Sequence, residues 1–205
     1  MEQEQEQEQE QTNTTTTTPT EQEQEQTNTT TTTTPTEKDK AYATVIIDMI
    51  EQNSNSYDGR KVLKGTASTA VIEIVHDHLK TTKAYEKDVY LARAIAECEA
   101  TPLHILESIF EMYRFKAEEG EQVLKLLAKN EKSTSELIDR ICCADSATVD
   151  VFVDVVKNEK TSLKTINRLV SEHRSTDSDI MNAIAKRNDL VIQVSYSPES
   201  PNFEF

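Results

Sequence analysis

Tryptophan is absent from this chain of 205 residues, and glycine occurs only three times, at Gly59, Gly65 and Gly120. Tight hairpin turns draw on glycine for positive φ, so a β-sandwich or barrel, which needs many such turns, is disfavoured. The three cysteines, Cys98, Cys142 and Cys143, form no CxxC pair and are odd in number. Neither a disulfide framework nor a zinc site follows from that pattern; reduced thiols in an intracellular protein fit it better. The N-terminus lacks the basic residue and apolar run of a secretory signal. No apolar stretch approaches the ~20 residues that span a bilayer. A cytoplasmic protein with no membrane partner is the expectation.

Positive charge is missing from one whole region. The first 36 residues hold eight Glu and no Lys or Arg, a formal −8, whereas the remainder has 29 acidic and 22 basic residues, or −7. Glu6–Thr20 reads EQEQEQTNTTTTTPT, and Glu21–Thr36 repeats it with one added Thr. A stretch with almost no apolar side chain cannot offset its ordering entropy. Residues 1–36 are therefore expected to be a disordered tail, either a solubilising spacer, an acidic lure for a basic partner, or a duplication that folding tolerates. A helical domain is expected over 37–194, with N-terminal helices in 37–84 and repeat-like helices in 85–194. Residues 195–205, which carry two prolines in the stretch from Val191, are expected to form a flexible C-terminal tail.

What the body does contain is helical periodicity. Tyr42, Val45, Ile46, Met49 and Ile50 fall on one face, and the polar run from Gln52 to Gly59 ends that helix. Val71, Ile72, Val75 and Leu79 mark a second helix, and Val89, Ala92, Ile95 and Ala96 a third within Tyr85 to Cys98. Val149 to Val156 is ambiguous. Val149, Phe152, Val153 and Val156 make a helical stripe, yet Val149, Val151, Val153 and Val155 alternate as in a strand. Its counterpart DIMNAIAKRN (Asp179–Asn188) is poor strand material, which favours a helix.

Beyond Val89 the chain repeats itself. AECEATPLHILESI begins at Ala96, AKNEKSTSELIDRI at Ala128, VKNEKTSLKTINRL at Val156 and AKRNDL at Ala185, offsets of 32, 28 and 29 residues. Thr101, Ser133 and Thr161 read as N-caps, Pro102 as the first helical residue, and Ser133 with Glu136 as a capping box. Ile105/Leu106, Leu137/Ile138 and Ile166 then point inward, with Ile109, Ile141 and Leu169 one turn later.

These units resemble the leucine-rich repeat variant, a short two-helix repeat with the pattern Ala-x-Asn, Thr-Pro, Val/Leu-Leu, Arg-Leu. Ala128, Asn130, Ser133, Glu136, Leu137, Ile138, Arg140 and Ile141 match it, as do Thr101, Pro102, Ile105, Leu106 and Ile109, and then Asn158, Thr161, Ile166, Arg168 and Leu169. The resemblance covers about residues 89–191. HEAT-like helical pairs are the neighbouring pattern. Either implies an all-α fold of short helical repeats, an α-solenoid or an irregular helical bundle, in which each unit buries its face against its neighbours. The repeat spacing here is longer than that family's. The cysteine cluster of the family's iron–sulfur-bearing member has no counterpart in this chain, and the resemblance carries no catalytic residue to transfer.

Candidate chemistry is sparse. His76 and His78 are two apart, so a helix turns them roughly 200° from one another and they cannot share an ion; both read as solvent-facing. Cys142-Cys143 needs an electropositive setting to react, which Arg140 alone hardly supplies. His104 and His173 have no neighbouring nucleophile. No nucleophile elbow, phosphate loop or dinucleotide fingerprint is present. No catalytic, cofactor-binding or metal-binding residue is therefore expected, and no cofactor.

One pattern stands out among equivalent positions of the units. Lys129, Lys157 and Lys186 correspond, as do Lys132 and Lys160, and Arg140 and Arg168. Stacking would line them up as a basic ridge for a protein partner, although Glu131 and Glu159 in the same linkers dilute its potential. The expectation is a non-enzymatic protein–protein interaction module. The alternative is an acidic mimic or inhibitor of a nucleic-acid-binding protein, acting through its tail. Direct nucleic-acid binding is disfavoured by the net charge of −15.

Overall fold

The computed structural model describes residues 34–52, 57–66, 68–173 and 178–187. Residues 1–33 of the tail expected over 1–36 lie outside these residues, as does the expected C-terminal tail over 195–205. The described residues form eleven α-helices. They are α1 (Glu37–Gln52), α2 (Tyr57–Lys64), α3 (Thr69–Thr81), α4 (Ala84–Lys87), α5 (Val89–Glu97), α6 (Leu103–Tyr113), α7 (Ala117–Lys129), α8 (Ser135–Ile141), α9 (Val149–Lys157), α10 (Leu163–His173) and α11 (Ser178–Ala185). The fold is all-α. Val149–Lys157 is helix, not strand.

The helices fall into two rows. In one, α2 packs on α5, α5 on α7, α7 on α9 and α9 on α11. The other begins with α1 packed on α3. Side-chain contacts continue it from α3 to α6 (Glu73–His104), from α6 to α8 (Glu111–Arg140) and from α8 to α10 (Asp139–Thr165). Between the rows runs one apolar core, to which Ile72, Leu79, Ile95, Ile105, Leu106, Ile109, Leu124, Leu137, Ile141, Val155, Leu169 and Ile184 all belong. The inward-pointing residues read from the repeat are all buried.

The first helix begins with a reciprocal cap. Thr36 Oγ1 accepts from Asp39 N, while Asp39 Oδ2 accepts from Thr36 N, two otherwise orphan donors satisfied together. Its buried face is only partly the expected one. Ala43, Ile46 and Ile50 are buried, whereas Tyr42 and Val45 remain 44% and 47% exposed. Two apolar stripes overlap on this helix, and the one containing small Ala43 allows the closer approach of α2 and α3. Helix α1 ends at Gln52, where the polar run is expected to end it, and Gly59, the last residue of that run, sits inside α2. A Cβ there would lie 2.6 Å from Ile50 Cγ1, so glycine serves close packing and not a turn.

The hydroxyl residues at the unit boundaries also differ from the sequence reading. Thr101, Ser133 and Thr161 are buried. Each donates its hydroxyl six residues back, to Ile95 O, Leu127 O and Val155 O respectively. They therefore close the preceding helix. The N-caps are their successors: Pro102 without a side-chain bond, Thr134 accepting from Leu137 N, and Ser162 accepting from Thr165 N. Pro102 thus sits one position ahead of the helix, and the Ser133–Glu136 capping box does not form. The burial of Asp154 within α9 also shifts that helix's inward stripe, which holds Val151, Val155 and Val156, while Phe152 and Val153 are only half-buried.

Candidate binding surface

The turns that end α5, α7 and α9 share one repeated geometry. The last residue's successor is extended in the same way three times: Cys98 (φ −75, ψ 123), Asn130 (−69, 126) and Asn158 (−76, 123). Extended backbone stops the helix while a backbone N–H still reaches the last turn, from Cys98 to Ile95 O, from Asn130 to Leu127 O and from Asn158 to Val155 O.

From these turns a side-chain ladder runs backwards along the chain. Cys98 Sγ donates to Thr66 O (3.1 Å), Asn130 Nδ2 to Ala96 O (2.8 Å), and Asn158 Nδ2 to Ala128 O (2.7 Å). Arg187 continues it with Nη1 on Asn158 O (2.9 Å) and Val156 O (3.2 Å). Each asparagine also accepts through Oδ1 from the N–H two residues on, Lys132 N or Lys160 N. Both ends of the amide are thereby used, one to fix its own linker and the other to satisfy a carbonyl at the previous helix end. The linkers are held in register by chemistry as well as by packing.

Along these linkers lies a hollow of about 320 Å³ at the C-terminal ends of α2, α5 and α7. Lys64, Lys129 and Lys132 line it together with Glu97, Glu99 and Glu131, over an apolar floor of Ala96 and Leu126. Lys64 Nζ lies 3.0 Å from Glu97 Oε2. The walls thus carry equal formal numbers of both charges.

The seven basic positions expected as one ridge divide between two places. Lys129 and Lys132 meet in the hollow. Lys157 and Lys160 follow on the next linker, and Lys186 is exposed on the turn after α11. Arg140 and Arg168 instead lie towards the other ends of α8 and α10. Much of this charge is already engaged. Lys129 lies 3.0 Å and Lys157 3.8 Å from the buried Asp154 carboxylate. The Lys129 contact is an ion pair and not an aligned hydrogen bond, since Oδ2 has no bonded donor. Lys160 Nζ donates to Glu131 O, and Arg140 to Glu111. Lys125 and Asp150 pair at 2.7 Å, which raises the lysine and lowers the carboxylate from their usual ranges.

Other titratable groups serve the fold. His76 is buried, contrary to the sequence reading, and its Nδ1 lies 2.7 Å from the Tyr85 hydroxyl. Burial lowers it to about 4 and holds it neutral. Tyr113 donates to Tyr85 O (2.8 Å), and burial pushes its hydroxyl up to about 12. His78 turns away to Glu51 (2.8 Å), and His104 lies 3.8 Å from Glu73. The Asp39 carboxyl is held below its usual range, first by the Thr36 hydroxyl and then by Ser68. Burial raises Cys142 to about 11. Among the described residues, no group of three or more His, Cys, Asp or Glu is placed to hold a metal ion, and no helix is long and apolar enough to cross a membrane. The His173 side chain lies outside the described residues.

Compared with protein-family models, with curated proteins and with solved structures, the chain has no match. The hollow and its ladder must therefore be interpreted from their own chemistry.

Proposed function

We propose that the helical body is a short α-solenoid, akin to the leucine-rich repeat variant or HEAT-like pairs, and that it works as a non-enzymatic module binding a protein partner. The observation that carries this reading is the hollow across the ends of α2, α5 and α7, where three successive helix ends, with the linkers after α5 and α7, present lysines and glutamates to one space. A stack of units gives an extended surface, and a polypeptide segment bearing both charges is the ligand that such walls complement. The groups with shifted protonation support a non-enzymatic role, because His76, Tyr85 and Tyr113 are occupied with one another in the core. The three free thiols fit the cytoplasm, where disulfides are rare.

Charge reversal tests the reading. Affinity capture with the full chain is compared with Lys129→Glu/Lys132→Glu and with Lys164→Glu, which changes an exposed lysine on α10. A bound protein lost with the first variant and kept with the second supports the hollow. Equal recovery with both sinks it. A second reading places binding in the acidic segment, because residues 1–36 carry −8 of the net −15. Deleting residues 1–33 separates the two, since only tail-mediated binding disappears and takes its salt dependence with it.

A further inference from the structure

The charges that line the hollow are not equally available to a ligand. Lys64 lies 3.0 Å from Glu97 Oε2, and Lys129 lies 3.0 Å from the buried Asp154 carboxylate. Glu99, Glu131 and Lys132 are exposed and form no ion pair among the described residues. Two carboxylates and one ammonium are therefore left over, an excess of one negative charge. The C-terminal ends of α2, α5 and α7 meet at the same place. Such ends carry partial negative charge, which also favours a cation. The floor beneath, Ala96 and Leu126, is apolar. An acidic opening over an apolar floor suits a cation carried on a hydrocarbon stem.

Size narrows the choice. At about 320 Å³ the hollow stands at the lower end of ligand pockets, which run to about 1,000 Å³. It admits a side chain and not a packed element. Arginine meets each requirement. Its methylene stem covers apolar surface, its guanidinium engages carboxylates through paired, charge-assisted hydrogen bonds, and it is among the residues that most often anchor protein interfaces. Lysine offers a strongly hydrated point charge, which gains less from the same walls.

We propose that the hollow is the anchor pocket for an arginine of the protein partner. The guanidinium meets the Glu99 and Glu131 carboxylates, the stem lies over Ala96 and Leu126, and an acidic residue beside the arginine in the partner's sequence meets Lys132. The assignment rests on the reading of the hollow as a protein-binding site and names the chemistry that this site selects.

The full chain, labelled with nitrogen-15, is titrated with the blocked peptide acetyl-Ala-Arg-Asp-Ala-amide while amide shifts are followed by NMR. Saturable shifts are expected at residues 97–99 and 130–132. Citrulline in place of the arginine keeps the shape and removes the charge, and is expected to weaken binding severalfold; lysine is expected to bind less tightly than arginine. Glu99→Gln/Glu131→Gln should abolish the preference for arginine over citrulline, whereas Glu86→Gln, an exposed carboxylate on α4, should preserve it. Equal affinity for the arginine and citrulline peptides overturns the proposal, as do shifts centred elsewhere, no saturable shift at millimolar peptide, or a preference that survives in the double glutamine variant. The spectrum of each variant reports whether its fold is kept, and the citrulline comparison in the unsubstituted chain decides without any variant. Equal affinities with the shifts still centred on the hollow remove only the arginine. The protein-binding role itself falls separately, on equal capture by Lys129→Glu/Lys132→Glu and Lys164→Glu.

Discussion

Gly120 is the position at which a single methyl group does most harm. A Cβ there would lie 2.4 Å from both Tyr113 O and Ser146 Oγ. Those two groups are bonded to one another (3.1 Å), and Ser146 N also donates to Arg114 O (3.2 Å), so the loop between α8 and α9 is pinned on the turn between α6 and α7. Within a helix, alanine ordinarily improves on glycine by roughly 0.5–1 kcal/mol. Here overpacking of about 1–3 kcal/mol outweighs that gain. Gly120→Ala should unfold at lower urea than the unsubstituted chain, and an equal or higher midpoint would show that the loop has room.

His76 makes the matching case for pH. Its neutral form is favoured in the fold, where burial holds it at about 4, against a reference of 6.5. The unfolded chain therefore takes up the proton first. Stability from this group is complete above pH 6.5 and is lost as pH falls from there towards 4, by up to about 3 kcal/mol. Carboxylates titrate in the same window, so the informative quantity is a difference. His76→Gln should flatten the decline between pH 6.5 and 4.5 in parallel urea titrations; identical slopes would show that His76 does not contribute. The sequence placed this histidine at the surface because its partner Tyr85 lies nine residues on, across a turn and a short helix that periodicity alone does not fold back.

At the scale of the element, the hydroxyl residue and its successor at the end of each linker explain both what sequence reveals and what it hides. A hydroxyl before an apolar run marks a helix start to within one residue, and the three boundaries at Thr101, Ser133 and Thr161 were legible for that reason. Which carbonyl or N–H each hydroxyl meets depends on the path of the linker, which sequence spacing does not specify. The difference is measurable at one boundary. Ser133→Ala leaves the buried Leu127 carbonyl without this partner and should cost about 1–3 kcal/mol. Thr134→Ala removes the N-cap bond to Leu137 N and should cost about 1 kcal/mol. Glu136→Ala should stay within about 0.5 kcal/mol, as for an exposed residue away from such features. A capping box between Ser133 and Glu136 predicts instead that the glutamate matters, and a large loss at Glu136 would restore it. Helix α9 teaches the same lesson from the core side: Asp154 broke the apolar pattern in sequence, yet it is buried against Lys129 and Lys157.

Across the whole helical unit, the pairing of equivalent lysines was legible, because equal positions in successive units do fall on successive linkers. Their union with the two arginines was not. Seven helical residues advance the chain by roughly 10 Å, so Arg140 is carried well away from the linker where Lys132 begins. The hollow was hidden for a related reason, since Lys64 and Glu97 come from units that the repeat pattern did not reach or did not mark. The row α2, α5, α7, α9, α11 has a consequence that separates a stack from a bundle. Removing residues 178–205 takes away α11, with Ile180 and Ile184, and the Arg187 bonds to Val156 O and Asn158 O. In a stack with nearest-neighbour coupling only the adjoining units loosen. Amide hydrogen exchange should then accelerate in α9 and α10 and remain as slow as before in α1 to α6. In a bundle whose helices share one indivisible core, all would accelerate together. Uniform loss of protection after this truncation would rule out the stacked arrangement, and with it the reason for assigning the hollow to a series of linkers.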